Sequence, residues 1–253
     1  MTSKKKLVSS REVAKRLILA GKVRVGDQIA DKPGRICDIE CEIRVIEKIH
    51  PYASRGGIKL EHALSKFNIS LKDKVAVDIG ASTGGFTDCL LQHGVAKVFA
   101  VDIGYGQLDW KLQSDPRVIT LDRKNARHLD KTDIKELVDL VVIDVSFISL
   151  NLIIPAAINV LKPMADLIAL VKPQFEVGKE EVENKGVIKN PKKHLDVLVK
   201  LNSFTKKQGW PIINITSSPI TGQKGNREFL IHCLAKEKSR IIEDDYIGNI
   251  INT

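Results

Sequence analysis

Cysteine is scarce in this chain of 253 residues: there are four, Cys37, Cys41, Cys89 and Cys233, none in a paired CxxC spacing. The six histidines are scattered. Neither a disulfide framework nor a metal cluster is indicated, so the expectation is a reducing, cytoplasmic setting with no metal. The opening stretch MTSKKKLVSSREVAKRL has charges on both sides of a two-residue apolar island and lacks the apolar core of a signal peptide. Long apolar runs are missing too, with one exception. Leu140 to Leu161, LVVIDVSFISLNLIIPAAINVL, carries a single charge over a length that could span a bilayer. Asp144, Asn151, Pro155 and Asn159 break it, and β-branched residues crowd its first half. It reads as a buried strand, a loop and a helix, with no membrane contact.

What the chain does have is positive charge, unevenly placed. Its formal net charge is +9. Met1 to Lys59 holds 14 Lys and Arg against 7 Asp and Glu, most of the excess. A concentrated basic surface favours a polyanionic partner.

Along the chain, SSREVAKRLILAG predicts a short helix with Ser9 and Glu12 at capping-box spacing, Val13, Leu17 and Ile18 as its apolar stripe, and Gly21 as its stop. KVRV, the turn GD and QIA predict a hairpin, and Glu42 to Glu47 a further strand. Residues 1–48 therefore form a small α+β unit. IHPYASRGG has the composition of a linker, placed at 49–58, and IKLEHALSKF that of a helix. From Lys74 apolar strands alternate with helical stretches: KVAVDIG, KVFAVDIG, RVITLD, DLVVIDVS, DLIALVKPQF, WPIINITSS and REFLIHCL. That alternation predicts an α/β fold, a mostly parallel sheet covered on both faces, and the closeness of the last two strands adds a terminal antiparallel hairpin. This domain is placed at 59–238, with 239–253 as a tail.

The stretch VDIGASTGGFTD runs the first of these strands through a Gly-rich turn into a helix. Against the dinucleotide fingerprint GxGxxG, Gly80 and Gly85 fit the ends, but Ser82 stands where the glycine that admits a pyrophosphate belongs. The turn still lies at the carboxyl end of a strand, where such sheets bind ligands. Asp102 ends the next strand, suited to accept ribose hydroxyls, and the helix N-terminus suits a carboxylate. S-adenosylmethionine has both groups, and Asp78, Gly80, Ser82, Gly84, Gly85 and Asp102 are its candidate contacts. Asp144 and Lys172 each follow a run of buried-strand residues, where an unpaired charge is costly, so both point to a site. Phe147 and Phe175 suit either base stacking or packing, and Trp110 reads as packing.

Two resemblances sharpen these readings. The first fifth of the chain, with SREVAKRLI followed by GKVRVG, resembles the small RNA-binding module shared by ribosomal proteins and RNA-modifying enzymes, here shortened at its start. It implies RNA contacts at Arg11, Lys15, Arg16, Lys22 and Arg24, to which Arg55 in SRGG is added. SRGGIKL, DIGASTGGFTD, VDIGYGQLDWKLQSDPRV, DVSFISL, LVKPQFEVGK and GNREFL, in that order, resemble the TlyA-type family of ribosomal RNA 2'-O-methyltransferases, often labelled haemolysins. The resemblance implies a Rossmann-like class I methyltransferase of the FtsJ-like group, S-adenosylmethionine as cofactor, and ribosomal RNA or a ribosomal subunit as partner. It places a catalytic Lys, Asp, Lys, Glu tetrad on Lys59, Asp144, Lys172 and Glu228. The implied reaction is methylation of a cytidine ribose, in large-subunit RNA by preference. A non-catalytic ribosome-binding factor and a membrane-lytic haemolysin are the competing classes.

Overall fold

The computed structural model describes residues 7–8, 11–19, 21–38, 40–46, 51–178, 186–235, 242 and 244–252, and these divide into two compact units between Pro51 and Tyr52. In the smaller unit, helix α1 (Arg11–Leu19) precedes strands β1 (Val23–Val25), β2 (Gln28–Ile29) and β3 (Ile43–Val45). Gly21, at φ +66°, stops α1 by donating its N–H to Ile18 O, while Lys22 N–H reaches back to Leu17 O. The GD turn joins β1 to β2, and β1 pairs antiparallel with both neighbours in the order β2-β1-β3. The Ser9 end of the expected capping box lies outside the described residues.

The larger unit opens with helix α2 (Gly56–Phe67), followed by β4 (Val75–Ile79), α3 (Gly85–Gln92), β5 (Lys97–Val101), α4 (Trp110–Gln113) and β6 (Val118–Leu121). Then come α5 (Lys131–Ile134), β7 (Val138–Ile143), α6 (Ile154–Asn159), β8 (Leu161–Val171) and α7 (Pro173–Glu176). Helix α8 (Pro191–Lys207), β9 (Ile212–Ser217), β10 (Phe229–Cys233) and α9 (Asp244–Asn252) complete it. The sheet order is β6-β5-β4-β7-β8-β10-β9: the first five strands run parallel, and β10 slots antiparallel between β8 and β9. Strand residues alternate between two apolar layers. Ala76, Val98, Val142 and Leu170 pack with α2 and α3, whereas Val77, Val101, Ile143 and Val171 pack with α6, α8 and α9. Burial on both faces explains why these strands read as apolar runs rather than as polar and apolar in alternation.

Two expected boundaries move. Residues 52–58 are not a linker: Tyr52 is buried, Ala53 N–H donates to Asp88 Oδ2 at 2.7 Å, and a Cβ on Gly57 would lie 2.2 Å from Tyr52. Ser and Gly enrichment here serves close packing instead of freedom. Nor is 239–253 a tail throughout, because Ile247 and Ile251 of α9 are buried and Arg227 donates to the carbonyls of Ile250 and Ile251. The apolar run Leu140 to Leu161 becomes most of β7, a loop and α6, as its interruptions predict. No helix among the described residues is long and apolar enough to cross a membrane.

Candidate active site

The site gathers where β4, β5, β7 and β8 end. Gly80, at φ +87°, lets the chain turn sharply after β4, and a Cβ there would sit 2.4 Å from Asp144 O. Glycine thus brings the turn against the end of β7. Ser82 N–H donates to Asp102 Oδ2 at 2.8 Å and Gly104 N–H to Oδ1 at 2.7 Å, so Asp102 ties this turn to the loop after β5. Each carboxylate oxygen keeps accepting capacity.

A cavity of about 520 Å³ runs past these groups, lined by Gly80, Ser82 and Asp102 on one side and by Ile103, Val145, Phe147 and Ile148 on another. It shares Gly80, Ser82, Asp144 and Ser146 with a smaller chamber of about 160 Å³ that holds Lys59 and Lys172. In that chamber Lys172 Nζ lies 2.6 Å from Asp144 Oδ1 and donates to Ser146 Oγ at 2.9 Å. Lys59 Nζ donates to Glu228 Oε2 at 2.5 Å, and the Glu228 side chain is 3% exposed. All four charged residues expected from the motifs therefore meet as two ion pairs. The donor set suits a nucleoside with an amino-acid tail: a carboxylate for ribose hydroxyls, an apolar wall for a base, a tight turn for the tail.

An FtsJ-like methyltransferase model matches residues 52–234, and an S4 domain model matches residues 3–43. The chain belongs to the FtsJ-like methyltransferase family. It is 47% identical over 92% of its length to YqxC of Bacillus subtilis, provisionally named an rRNA methyltransferase, and covers 86% of that protein. It is 42% identical over 89% of its length to the 16S/23S rRNA (cytidine-2'-O)-methyltransferase TlyA of Mycobacterium tuberculosis, covering 84% of it. A solved structure from Streptococcus thermophilus, provisionally designated a hemolysin, matches with a TM-score of 0.80 at 40% identity, over 99% of this chain and 92% of that one.

Within this FtsJ-like domain two of the candidate cofactor contacts have bracing roles. Gly84 does not line the cavity; it takes φ +95°, and a Cβ there would lie 2.2 Å from Leu112, so it lets α3 pack against the segment holding Leu108 and Leu112. Asp78 is fully buried beneath the turn, where Oδ2 accepts from Thr87 Oγ1 of α3 at 2.6 Å. Burial, aided by the nearby charge of Asp144, pushes its carboxyl up from 3.8 to about 7. A raised acid binds its proton more tightly in the folded chain, so its contribution to stability is full below pH 3.8 and is lost as pH rises through about 7. Asp78→Asn should flatten this part of the pH dependence of urea unfolding. An unaltered pH profile would exclude the buried acid as its source.

The expected RNA contacts fall in both units. Arg11, Lys15 and Arg24 are exposed and Lys22 is half-buried, while the Arg16 side chain lies outside the described residues. Arg24 faces Arg44 across the β1/β3 ladder, with Arg44 held by Glu42 at 2.7 Å. Arg55, in the larger unit, is exposed and donates to Thr221 O at 2.9 Å, so it also steadies the loop before Glu228.

Sequence reasoning missed Ser146 and Glu176. Ser146 stands two residues after Asp144 on the same strand-end loop, a position that could have flagged it. Glu176 had no such signal. Its Oε2 accepts from Ser149 Oγ at 2.7 Å and its Oε1 from Leu150 N–H at 2.9 Å, fastening α7 to the loop that carries Ser146 and Phe147. Burial raises its carboxyl above the usual value. Glu176→Gln keeps one accepting oxygen and should lower stability by about 1–3 kcal/mol, read as a drop in the urea midpoint. Trp110, expected to pack, is instead 64% exposed with the Lys111 ammonium 5.9 Å from its ring.

Proposed function

We propose that this protein transfers a methyl group from S-adenosylmethionine to the ribose 2'-hydroxyl of a cytidine in ribosomal RNA, in the large subunit. The observation that carries the reading is the convergence of Lys172, Asp144 and Lys59 on one small chamber that shares its lining with the Asp102 cavity, with Glu228 ion-paired to Lys59. Asp102 would hold the ribose hydroxyls of the cofactor, Ile103, Val145 and Ile148 its base, and the Gly80 to Gly85 turn its amino-acid tail. When bound, the cofactor supplies an electrophilic methyl carbon on sulfur.

The chain's own work is then orientation. An ammonium has three N–H donors, and Asp144 and Ser146 occupy two directions around Lys172 Nζ. The third direction is left for the target hydroxyl, which Lys172 aligns for in-line attack on the methyl carbon. As the C–O bond forms, the methyl–sulfur bond would break, leaving S-adenosylhomocysteine, and the hydroxyl proton would pass to water. Glu228 fixes Lys59, which also lines the chamber. A ribose in a folded RNA reaches so small a chamber only if its nucleotide leaves the stack. Phe147, 85% exposed on the cavity wall with its ring 4.9 Å from that of Phe175, offers a face for the displaced base. The S4 domain supplies a second place for RNA.

The test is transfer of labelled methyl from S-adenosylmethionine to separated small and large ribosomal subunits and to their naked RNAs. Label in large-subunit material at a cytidine 2'-O supports the reading. Cofactor binding without transfer to any of the four replaces it with a ribosome-binding factor.

A further inference from the structure

Helix α2 carries Lys59 in its first turn, and the residues that follow at intervals of four, Ala63 and Phe67, fall on the same side of the helix. Glu228, Leu230 and His232 alternate with Phe229, Ile231 and Cys233, so they share the face of the sheet that packs under α2. The two spacings match. From Lys59 to Phe67 the helix rises about 12 Å, and from Glu228 to His232 the strand advances about 13 Å. One end of this match is the Lys59–Glu228 ion pair. At the other end the Phe67 ring stacks on the His232 imidazole, with centroids 5.6 Å apart and planes 20° from parallel. Ala63 and Leu230, both fully buried, lie in the apolar layer between α2 and the sheet.

His232 is buried, and its orientation is fixed from three directions. Asn214 Nδ2 of β9 donates to its Nδ1 at 3.2 Å, which leaves the ring proton on Nε2, and Nε2 donates to Asp166 Oδ1 of β8 at 2.9 Å. Asp166 Oδ2 in turn accepts from Lys74 Nζ, just before β4, at 2.7 Å. Polar groups this deep are costly unless every member is paired, and an aliphatic side chain would fill the place with none of these partners. What the network adds is a ring of fixed orientation under the end of α2. An ion pair at one end fixes a single point of a helix and lets it pivot, whereas a second contact about 12 Å along it also fixes its axis.

We propose that Phe67 and His232 are positioning residues for methyl transfer: they anchor the far end of α2 on β10 and so hold Lys59 at its place in the chamber. The proposal rests on the methyltransferase reading above, and it extends the reaction's machinery to two residues that do not line the chamber. They act through Lys59 and leave the Asp102 end of the cavity untouched.

The experiment follows two readouts on the full chain. One is steady-state methyl transfer to large-subunit RNA, with calorimetric titration of S-adenosylhomocysteine beside it. The other is the rate at which a pulse of acetic anhydride acetylates Lys59 and Lys172, read residue by residue by mass spectrometry. Phe67→Ala and His232→Ala should each lower kcat about ten- to hundredfold, as expected for a misplacement on the order of 1 Å, with KM and cofactor affinity unchanged. Acetylation of Lys59 should quicken severalfold as its ammonium parts from Glu228, while that of Lys172 stays as in the parent. Phe67 is half-buried and the milder site, so its variant decides the matter should His232→Ala not fold. Phe67→Tyr keeps the ring and should behave as the parent. Ile231→Val, on the opposite face of β10, should lower the urea midpoint without moving kcat or the labelling of Lys59.

Parent-like kcat and Lys59 labelling in the alanine variants would overturn the anchor. Equal losses in Ile231→Val would overturn it too, since they would then follow from lower stability alone. If the parent chain transfers no methyl group, the methyltransferase reading falls, and the labelling of Lys59 still decides the anchor.

Discussion

Lys172→Ala should abolish methyl transfer, with a fall in kcat of about 10²- to 10⁴-fold, while cofactor affinity and the unfolding midpoint change little. The reasoning starts from geometry. Lys172 Nζ is held between Asp144 and Ser146 at the chamber, so its removal takes away the group that aligns the hydroxyl but leaves the Asp102 end of the cavity intact. Asp144 would lose its ion-pair partner, and although its Oδ1 is buried, its side chain is 22% exposed and the space vacated by the lysine admits water to that oxygen, so the stability cost stays small. Lys172→Arg should not restore activity, since a planar guanidinium cannot reproduce the three-way donor geometry of an ammonium at one point. Labelled-methyl kinetics and calorimetric titration with S-adenosylhomocysteine check both halves. Transfer at the parent rate would remove Lys172 from the chemistry.

The Lys59 and Glu228 pair should respond in the opposite sense, with stability as the first casualty. Lys59→Ala leaves a carboxylate at 3% exposure without its cation, and breaking a buried pair in this way costs about 3–5 kcal/mol. The loop cannot open cheaply to water, because Gly222 backs directly onto the Glu228 carboxylate and Arg55 holds Thr221. Urea unfolding should show the midpoint falling for either single variant. Lys59→Met combined with Glu228→Leu should regain most of the lost stability, as apolar replacements of buried ion pairs do, and remain inactive. A double variant that stays as unstable as the singles would mean that the pair is held by its surroundings rather than by its own charge balance.

These two pairs also show how far the sequence reaches. Lys172 and Asp144 are legible from local order alone, since each follows a buried apolar strand and a charge in that place needs a reason. Lys59 and Glu228 are not. By local order, one is a helix lysine and the other sits beside a strand that could as well be an edge. Only the insertion of β10 between β8 and β9 makes that strand interior and brings a residue 169 positions away onto α2. Family motifs could nominate them, but burial and pairing come from the sheet order.

The parallel sheet, its terminal hairpin, the small basic unit and the Gly80 turn follow from the sequence because each depends on short-range pattern: apolar runs, turn residues and strand-to-helix spacing. Tertiary structure decided the rest. It gave Asp78 and Gly84 bracing roles, turned a supposed linker into packed core around Tyr52, and recruited Glu176 to hold a loop 26 residues away. It also left Trp110 in solvent. Such outcomes depend on which surfaces meet across the fold, and pairings between distant segments leave little trace in the local order of residues.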